Sequence, residues 1–256
     1  NSPVTTVTVN PTPAANITAG GPLSFCQGSS VLLTASAGNS WLWSNGATTQ
    51  STTVSSSGSY TVVVTGTGGC TNTSASTVVA VSPNPVVTIS ASPYTSLFPG
   101  LITTLTANVT PPGSYNYAWY KNGVLIPGAS TNTITGITLS GIGNYTVTVT
   151  NTSGLPCSNT SPVRAITDSV TKKLFIYPNP NSGQFTVAYY TAGTNVKNTL
   201  TIFDGKGAMV YSKVYTISSP YQTMDVDLRR FQHGTYEVVL TDASGKKLAV
   251  GQVLTQ

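Results

Sequence analysis

Ionisable side chains are almost missing from the first two thirds of the chain. Residues 1–163 hold one, Lys121, and every other charge lies between Arg164 and Lys247 with the signs interspersed. Charged residues make up 7% of the 256, against ~25% in an average soluble domain. No Asp or Glu precedes Asp168. That excludes carboxylate-bound calcium from the earlier region, because calcium takes several oxygens and usually carboxylates among them. The formal charge of +5 reflects a shortage of acids and not a basic stripe. No surface is set out to neutralise phosphates, and no nucleic-acid partner is expected. Histidine occurs once, as His233 in the turn "FQHG", where solvation is the simplest reading. Asp225 and Asp227 stand two apart in a strand-like run; they share a face, and an exposed polar face explains them without acid–base chemistry. No Ser-His-Asp set, zinc spacing or phosphate loop occurs, so no catalytic residue, metal or cofactor is expected. No apolar run approaches the ~20 residues that span a bilayer, no signal-peptide pattern opens the chain, and no stretch has apolar residues at helical spacing.

Glycine (24), proline (16), threonine and valine fill the space that charge leaves. That composition suits short strands and turns. The chain also repeats itself. "SFCQGSSVLLTA" (24–35) matches "SLFPGLITTLTA" (96–107), with Gly28 opposite Gly100 and Leu33 opposite Leu105. "WLWSNG" (41–46) matches "YAWYKNG" (117–123), and "GSYTVVVT" (58–65) matches "GNYTVTVT" (143–150). Each copy has a Trp-bearing strand running into Asn-Gly, a strong hairpin signal. A Gly-x-Tyr then opens a strand of alternating Thr and Val, where the period of two puts Val inside. The mid-strand Trp and the late-strand Tyr resemble the immunoglobulin-like pattern, although the Cys-Trp-Cys spacing of antibody domains is absent. The opening "NSPVTTVTVNPTP" (1–13) aligns with "TSPVRAIT" (160–167) and "TSASTVVAVSPNP" (73–85). It reads as the last strand and linker of an upstream domain, which makes the chain the C-terminal part of a longer protein.

Of the three cysteines, Cys26 precedes the second strand of the first copy and Cys70 follows its "YTVVVT" strand. A bridge between them would close ~45 residues and contribute roughly 3–4 kcal/mol in the chain-entropy account. The repeat sets Cys157 opposite Cys70 and Phe98 opposite Cys26, leaving Cys157 without a partner in its own copy. The expectation is therefore a Cys26–Cys70 disulfide and a free Cys157, with three reduced, packed cysteines as the alternative. Catalysis by Cys157 is not expected, since no histidine or acid occurs in the first two domains to activate it.

From Leu174 the composition shifts towards charge, Met and Phe. Seven strand-like runs follow: 174–177, 184–190, 200–203, 208–215, 221–228, 235–241 and 248–254. Glycine-bearing turns such as "DGKG" (204–207) and "DASGKK" (242–247) separate them, and the spacing predicts a third small sandwich. "YPNPNSGQF" (177–185), then "DGKG", then "LRRFQHGTYEVVL" (228–240), then "GKK" before a last apolar strand, resembles in order the type A C-terminal sorting domain of type IX secretion, found in Bacteroidota. The resemblance covers about residues 172–256. It implies sorting-motif roles for Tyr177, Pro178, Asn179, Pro180, Gly183, Gly234, Tyr236, Gly245, Lys246 and Lys247. It further implies recognition by the type IX outer-membrane translocon, transfer to a PorV-like barrel protein and, in many members, removal by a sortase with attachment to the cell surface. "DSV" (168–170) resembles the O-glycosylation site of the same bacterial group, with Ser169 as acceptor.

The expected architecture is all-β: two immunoglobulin-like sandwiches (14–83 and 84–167), a linker (168–173) and a seven-stranded sorting domain (174–256). The expected protein is exported across the outer membrane and is extracellular or surface-attached. Its sandwiches would serve as a spacer or adhesin, and their uncharged surface leaves self-association or carbohydrate contact open through Trp41, Tyr94 and Tyr120. A second reading makes these domains a non-catalytic appendage of a secreted protease or glycoside hydrolase whose catalytic part lies upstream.

Overall fold

A computed structural model describes residues 3–256, and nearly all of its regular structure is strand. The first sandwich comprises β1 (Ile17–Ala19), β2 (Ser24–Cys26), β3 (Val31–Ala35), β4 (Ser40–Trp43), β5 (Ser51–Val54), β6 (Gly58–Tyr60), β7 (Val62–Thr65), β8 (Thr71–Thr73) and β9 (Thr77–Ser82). A β1-β3-β5 sheet forms one layer; β2-β9-β6 and β4-β7-β8 form the other. The alternation seen in the sequence sets the core. Val31, Leu33 and Ala35 point inward from β3, and Trp43, Val62, Val64 and Val79 meet them from the opposite layer. Trp43 buries its ring and donates its Nε1–H to the Thr49 carbonyl at 2.8 Å, which satisfies the one polar atom that burial would strand.

The second sandwich repeats this order. It comprises β10 (Val86–Ser92), β11 (Ser96–Leu97), β12 (Thr103–Thr110), β13 (Tyr115–Lys121), β14 (Val124–Leu125), β15 (Thr133–Ile137), β16 (Gly143–Asn151), β17 (Ser158–Thr160) and β18 (Arg164–Asp168). β10-β12-β15 faces the layer that carries β11-β18-β16-β13-β14. Trp119 donates to the Thr131 carbonyl at 2.8 Å, as Trp43 does to Thr49. Tyr60 and Tyr145 each donate a hydroxyl to the carbonyl four residues earlier, Ser56 and Gly141. That tie pins the turn into the late strand, in the manner of a tyrosine corner. In both copies a short strand pairs in parallel with the closing strand: β2 with β9, setting Cys26 beside Ser82, and β11 with β18.

Seven strands build the terminal sandwich: β19 (Phe175–Tyr177), β20 (Gln184–Ala188), β21 (Val196–Phe203), β22 (Met209–Ile217), β23 (Met224–Asp227), β24 (Gly234–Asp242) and β25 (Lys247–Thr255). β19-β20-β23 packs on β22-β21-β24-β25. The shared core includes Phe185, Val187, Leu200, Ile202, Met224, Val238, Leu240 and Val253. Tyr236 donates its hydroxyl to Gln232, giving this sandwich the same tie as the other two.

Of the opening segment 1–13, residues 1–2 lie outside the described residues. Residues 3–13 form no strand, and Val4, Val7 and Val9 are 94%, 81% and 86% exposed. A lone strand has no ladder partner to satisfy its backbone, so the strand-like pattern stands unpaired.

The cysteine expectation is corrected. Cys26 is bonded to Cys157, and Cys70 is free. Strand direction explains why. β6 runs antiparallel to β9, with Gly58 opposite Val79 and Tyr60 opposite Thr77. The Gly58–Thr65 stretch therefore runs away from the pole where the chain leaves the sandwich, rising ~3.3 Å per residue. Its closing turn, with Cys70, lies at the proximal pole against the incoming linker, and the Cys70 thiol points to the Asn10 carbonyl at 3.7 Å. Cys26, beside Ser82, lies at the distal pole. The same direction in the second copy puts Cys157 at that copy's proximal pole, where it meets the distal pole of the first. Asn159 seals this junction by donating to the Pro85 carbonyl at 2.9 Å, and Asn84 donates to the Gln27 carbonyl at 3.1 Å.

Alkylation of residues 1–256 produced by themselves, under denaturing, non-reducing conditions, should label Cys70 alone. The Cys157→Ser variant should yield two labelled positions, Cys26 and Cys70. Labelling of Cys157 in the parent chain would contradict the pairing.

Candidate functional site

The C-terminal strand β25 has one neighbour in its sheet, β24. Its other edge would present bare N–H and C=O groups, a template for unwanted pairing. The "PNPN" segment covers the end of that edge. Asn179 donates its Nδ2–H to the Gln252 carbonyl at 3.0 Å and accepts from the Leu254 N–H at 3.0 Å through Oδ1. Asn181 then continues with its backbone, donating to the Leu254 carbonyl at 3.0 Å and accepting from the Gln256 N–H at 2.8 Å. Pro178 and Pro180 have no N–H to offer a ladder, so a side-chain amide takes the place of a strand.

Asn181 is buried, and its Oδ1 accepts the Gly183 N–H at 2.7 Å. Gly183 has φ +92°, and a Cβ there would lie 3.0 Å from the Arg229 backbone, so this turn requires glycine. Tyr177, Pro178, Asn179 and Pro180 are exposed around it. Gly234 faces Thr255 at the start of β24, so it joins the same end of the sheet. Gly245, Lys246 and Lys247 lie at the other end of the β24–β25 hairpin. There the Asp242 carboxylate accepts from the Ser244 and Lys246 N–H groups at 2.9 and 3.0 Å. The hydrogen bonds from Ser244 foremost hold its pKa below the usual carboxylate range. Nine of the ten motif residues thus divide between the two ends of one hairpin, and the tenth, Tyr236, lies in the core opposite Val253.

The sequence pointed to Asn179 but missed Asn181, Gly251, Phe98, Phe175 and Tyr221. Gly251 lies in β25, where a Cβ would come within 2.8 Å of the Ile176 side chain; its bareness lets β19 cross the strand closely. Phe98 stacks on Phe175 with ring centroids 5.3 Å apart, and Tyr221 meets Phe175 edge-on at 5.7 Å. This aromatic cluster joins the second and terminal sandwiches beside a cleft of about 1090 Å³ lined by Pro99, Leu139, Lys173 and Gln222 among others. Tyr221 donates its hydroxyl to the Ser169 carbonyl, and the Ser169 N–H donates to Leu97. Ser169 is half-buried in this junction. Burial pushes the Tyr221 hydroxyl up to about 12, with the Asp168 carboxylate adding to the shift.

Asp225 and Asp227 share the exposed face of β23. Asp225 accepts from the Thr186 hydroxyl, while Asp227 pairs with Arg229 at 2.6 Å. Chiefly the hydrogen bond from Arg229 holds the Asp227 pKa well below the carboxylate range. His233 is exposed in its turn. Trp41 is half-buried on β4 and bonded to the Ser36 carbonyl; Tyr94 lies in the β10–β11 loop, and Tyr120 on β13.

Residues 175–251 match the family described as the secretion system C-terminal sorting domain. No curated protein matches the chain. Among solved structures, the three N-terminal domains of the outer capsid protein Hoc of bacteriophage RB49 are 15% identical, with 94% of this chain and 97% of that one covered and a TM-score of 0.31. A three-domain immunoglobulin fragment of titin (I67–I69) is 11% identical, with 91% and 93% covered and a TM-score of 0.33. A marsupial T cell receptor is 12% identical, with 93% and 99% covered and a TM-score of 0.35. These likenesses are too slight to bear on function, and the architecture rests on strand order and register. The chain carries a type IX C-terminal sorting domain behind immunoglobulin-like sandwiches. It is exported across the outer membrane to the cell surface or the medium through the type IX machinery.

Two outcomes follow. Asn179→Ala should cost about 1 kcal/mol, the scale of an ordinary hydrogen bond, and should speed amide exchange at Leu254 ahead of the core of β24. Unchanged exchange at Leu254 would contradict the clamp. Tyr221 is neutral when protonated, and its folded pKa lies above the unfolded value of 10.0. Its contribution is complete below pH 10 and is lost as pH rises towards 12. The calorimetric midpoint should fall across that interval, and Tyr221→Phe should make the fall shallower.

Proposed function

We propose that residues 174–256 are the export address of a surface protein, and that the translocon reads the end of the terminal sandwich where the "YPNP" turn covers β25. One observation carries this reading. The segment that matches the sorting-domain family, residues 175–251, makes up most of one sandwich whose C-terminal strand is held by the motif itself. Tyr177, Pro178, Asn179 and Pro180 are exposed at that end, which makes them available to a receptor while Asn179 and Asn181 keep the strand in register. The translocon passes the domain to a PorV-like barrel protein. A sortase then cuts in the connecting segment 168–173 and attaches the preceding part to the surface.

The two immunoglobulin-like sandwiches are a spacer. The Cys26–Cys157 bond ties them end to end, and a nearly uncharged surface imposes little mutual repulsion between neighbouring molecules. Trp41, Tyr94 and Tyr120 lie on separate elements, an arrangement that favours a spacer over a sugar-binding platform.

Deletion of residues 174–256 in the native host, followed by fractionation, tests the address. The truncated protein should accumulate in the periplasm with none at the surface, and normal surface delivery would overturn the reading. Asn179→Ala should reduce delivery less than the deletion does.

A further inference from the structure

The junction between the two immunoglobulin-like sandwiches has a second, unfinished copy at the proximal pole of the first. In the finished junction, Cys157 lies 3.9 Å from the Ser82 carbonyl, Asn159 donates to the Pro85 carbonyl at 2.9 Å, and Cys26, in register with Ser82, supplies the other sulfur. In the unfinished one, Cys70 lies 3.7 Å from the Asn10 carbonyl and Asn72 donates to the Pro13 carbonyl at 3.0 Å. Asn10 is packed so closely that a Cβ on Gly68 would come within 2.0 Å of its side-chain nitrogen. Residues 10–13 therefore sit on the turn holding Cys70 much as residues 82–85 sit on the turn holding Cys157. The element missing is the sulfur beside Asn10.

The exposed valines say what supplies it. Aligning Pro11 and Pro13 with Pro83 and Pro85 sets Val7 opposite Val79 and Val9 opposite Val81. Val79 is 1% exposed inside β9, whereas Val7 and Val9 are 81% and 86% exposed. Residues 5–10 thus have the pattern of a closing strand without the sandwich it closes. A short strand paired beside it, as β2 is beside β9, would set one residue next to Asn10 and within reach of Cys70.

We propose that Cys70 forms a disulfide with a cysteine of a further immunoglobulin-like sandwich seated on the proximal pole of the first, at the place that Cys26 holds in its own. Two thiols lose two protons and two electrons to a disulfide oxidant, RSSR, which leaves as two RSH; one S–S bond forms and one breaks. The sandwiches then make a chain in which each distal cysteine is bonded to the proximal cysteine of the next. The series ends at Phe98, which replaces the distal cysteine and meets Phe175 of the terminal sandwich.

Peptide mapping of the native protein without reduction is the first test. The Cys70 peptide should be joined to a cysteine peptide from outside residues 1–256, alongside Cys26–Cys157. Recovery of Cys70 as a thiol, with Cys26–Cys157 intact, would overturn the proposal. A second test duplicates residues 14–82 directly ahead of Pro11, with Cys70→Ser in the duplicate alone. The duplicate's Cys26 should bond the original Cys70 and leave no thiol to alkylate. A labelled Cys70 beside an intact Cys26–Cys157 bond refutes it. Cys26→Ser in the duplicate should restore one labelled thiol.

Discussion

Antiparallel pairing decides where each end of each strand lies, and the remaining features depend on that. A strand of eight residues spans ~26 Å, so a turn at one pole of a sandwich cannot exchange side chains with a turn at the other. Cys26 and Cys70 belong to one sandwich and to opposite poles, whereas Cys26 and Cys157 belong to two sandwiches and to poles that meet. The linkers complete these meetings. In each, a proline carbonyl receives an asparagine amide from the short strand, β8 or β17, that follows the turn bearing the cysteine.

The two junctions that the structure describes in full use different chemistry at the same place. Between the immunoglobulin-like sandwiches the contact from the distal pole is covalent, through Cys26. Between the second and terminal sandwiches it is aromatic, with Phe98 against Phe175 and Tyr221 against Phe175. An aromatic contact of this kind contributes ~0.5–1.5 kcal/mol beyond burial and lets the partners separate, as a covalent bond does not. The terminal sandwich, which the secretion machinery has to handle, is thus joined less permanently than the two immunoglobulin-like sandwiches are to each other.

Much of the fold was legible in the residues. Two copies could be aligned on Trp43 and Trp119, on Tyr60 and Tyr145, and on the Asn-Gly turns. Alternating Val and Thr showed which side chains face inward, because the strand period is two regardless of context. The terminal strands were legible for the same reason, with ends displaced by a few residues, as for β21 and β23. The site was legible in part. "YPNPNSGQF" stood out, but its near-twin "SPNP" shows that Pro-Asn-Pro alone does not make a clamp. Asn181 and Gly183 separate the two, through an amide turn and a left-handed backbone that admit glycine. The disulfide was misread because proximity was judged within a copy, where the bond runs between copies.

By itself the sequence determined the class of structure, the number of sandwiches, their cores and the kinship of the last one, all of which follow from local periodicity and ordered motifs. Only the tertiary structure decided which cysteines meet, which edge of β25 the asparagines cover and which rings join the second sandwich to the third. Those contacts link residues far apart along the chain, 131 positions for the disulfide and 75 for Asn179 with Leu254. Strand direction and register bring such residues together, and neither is written in any single segment.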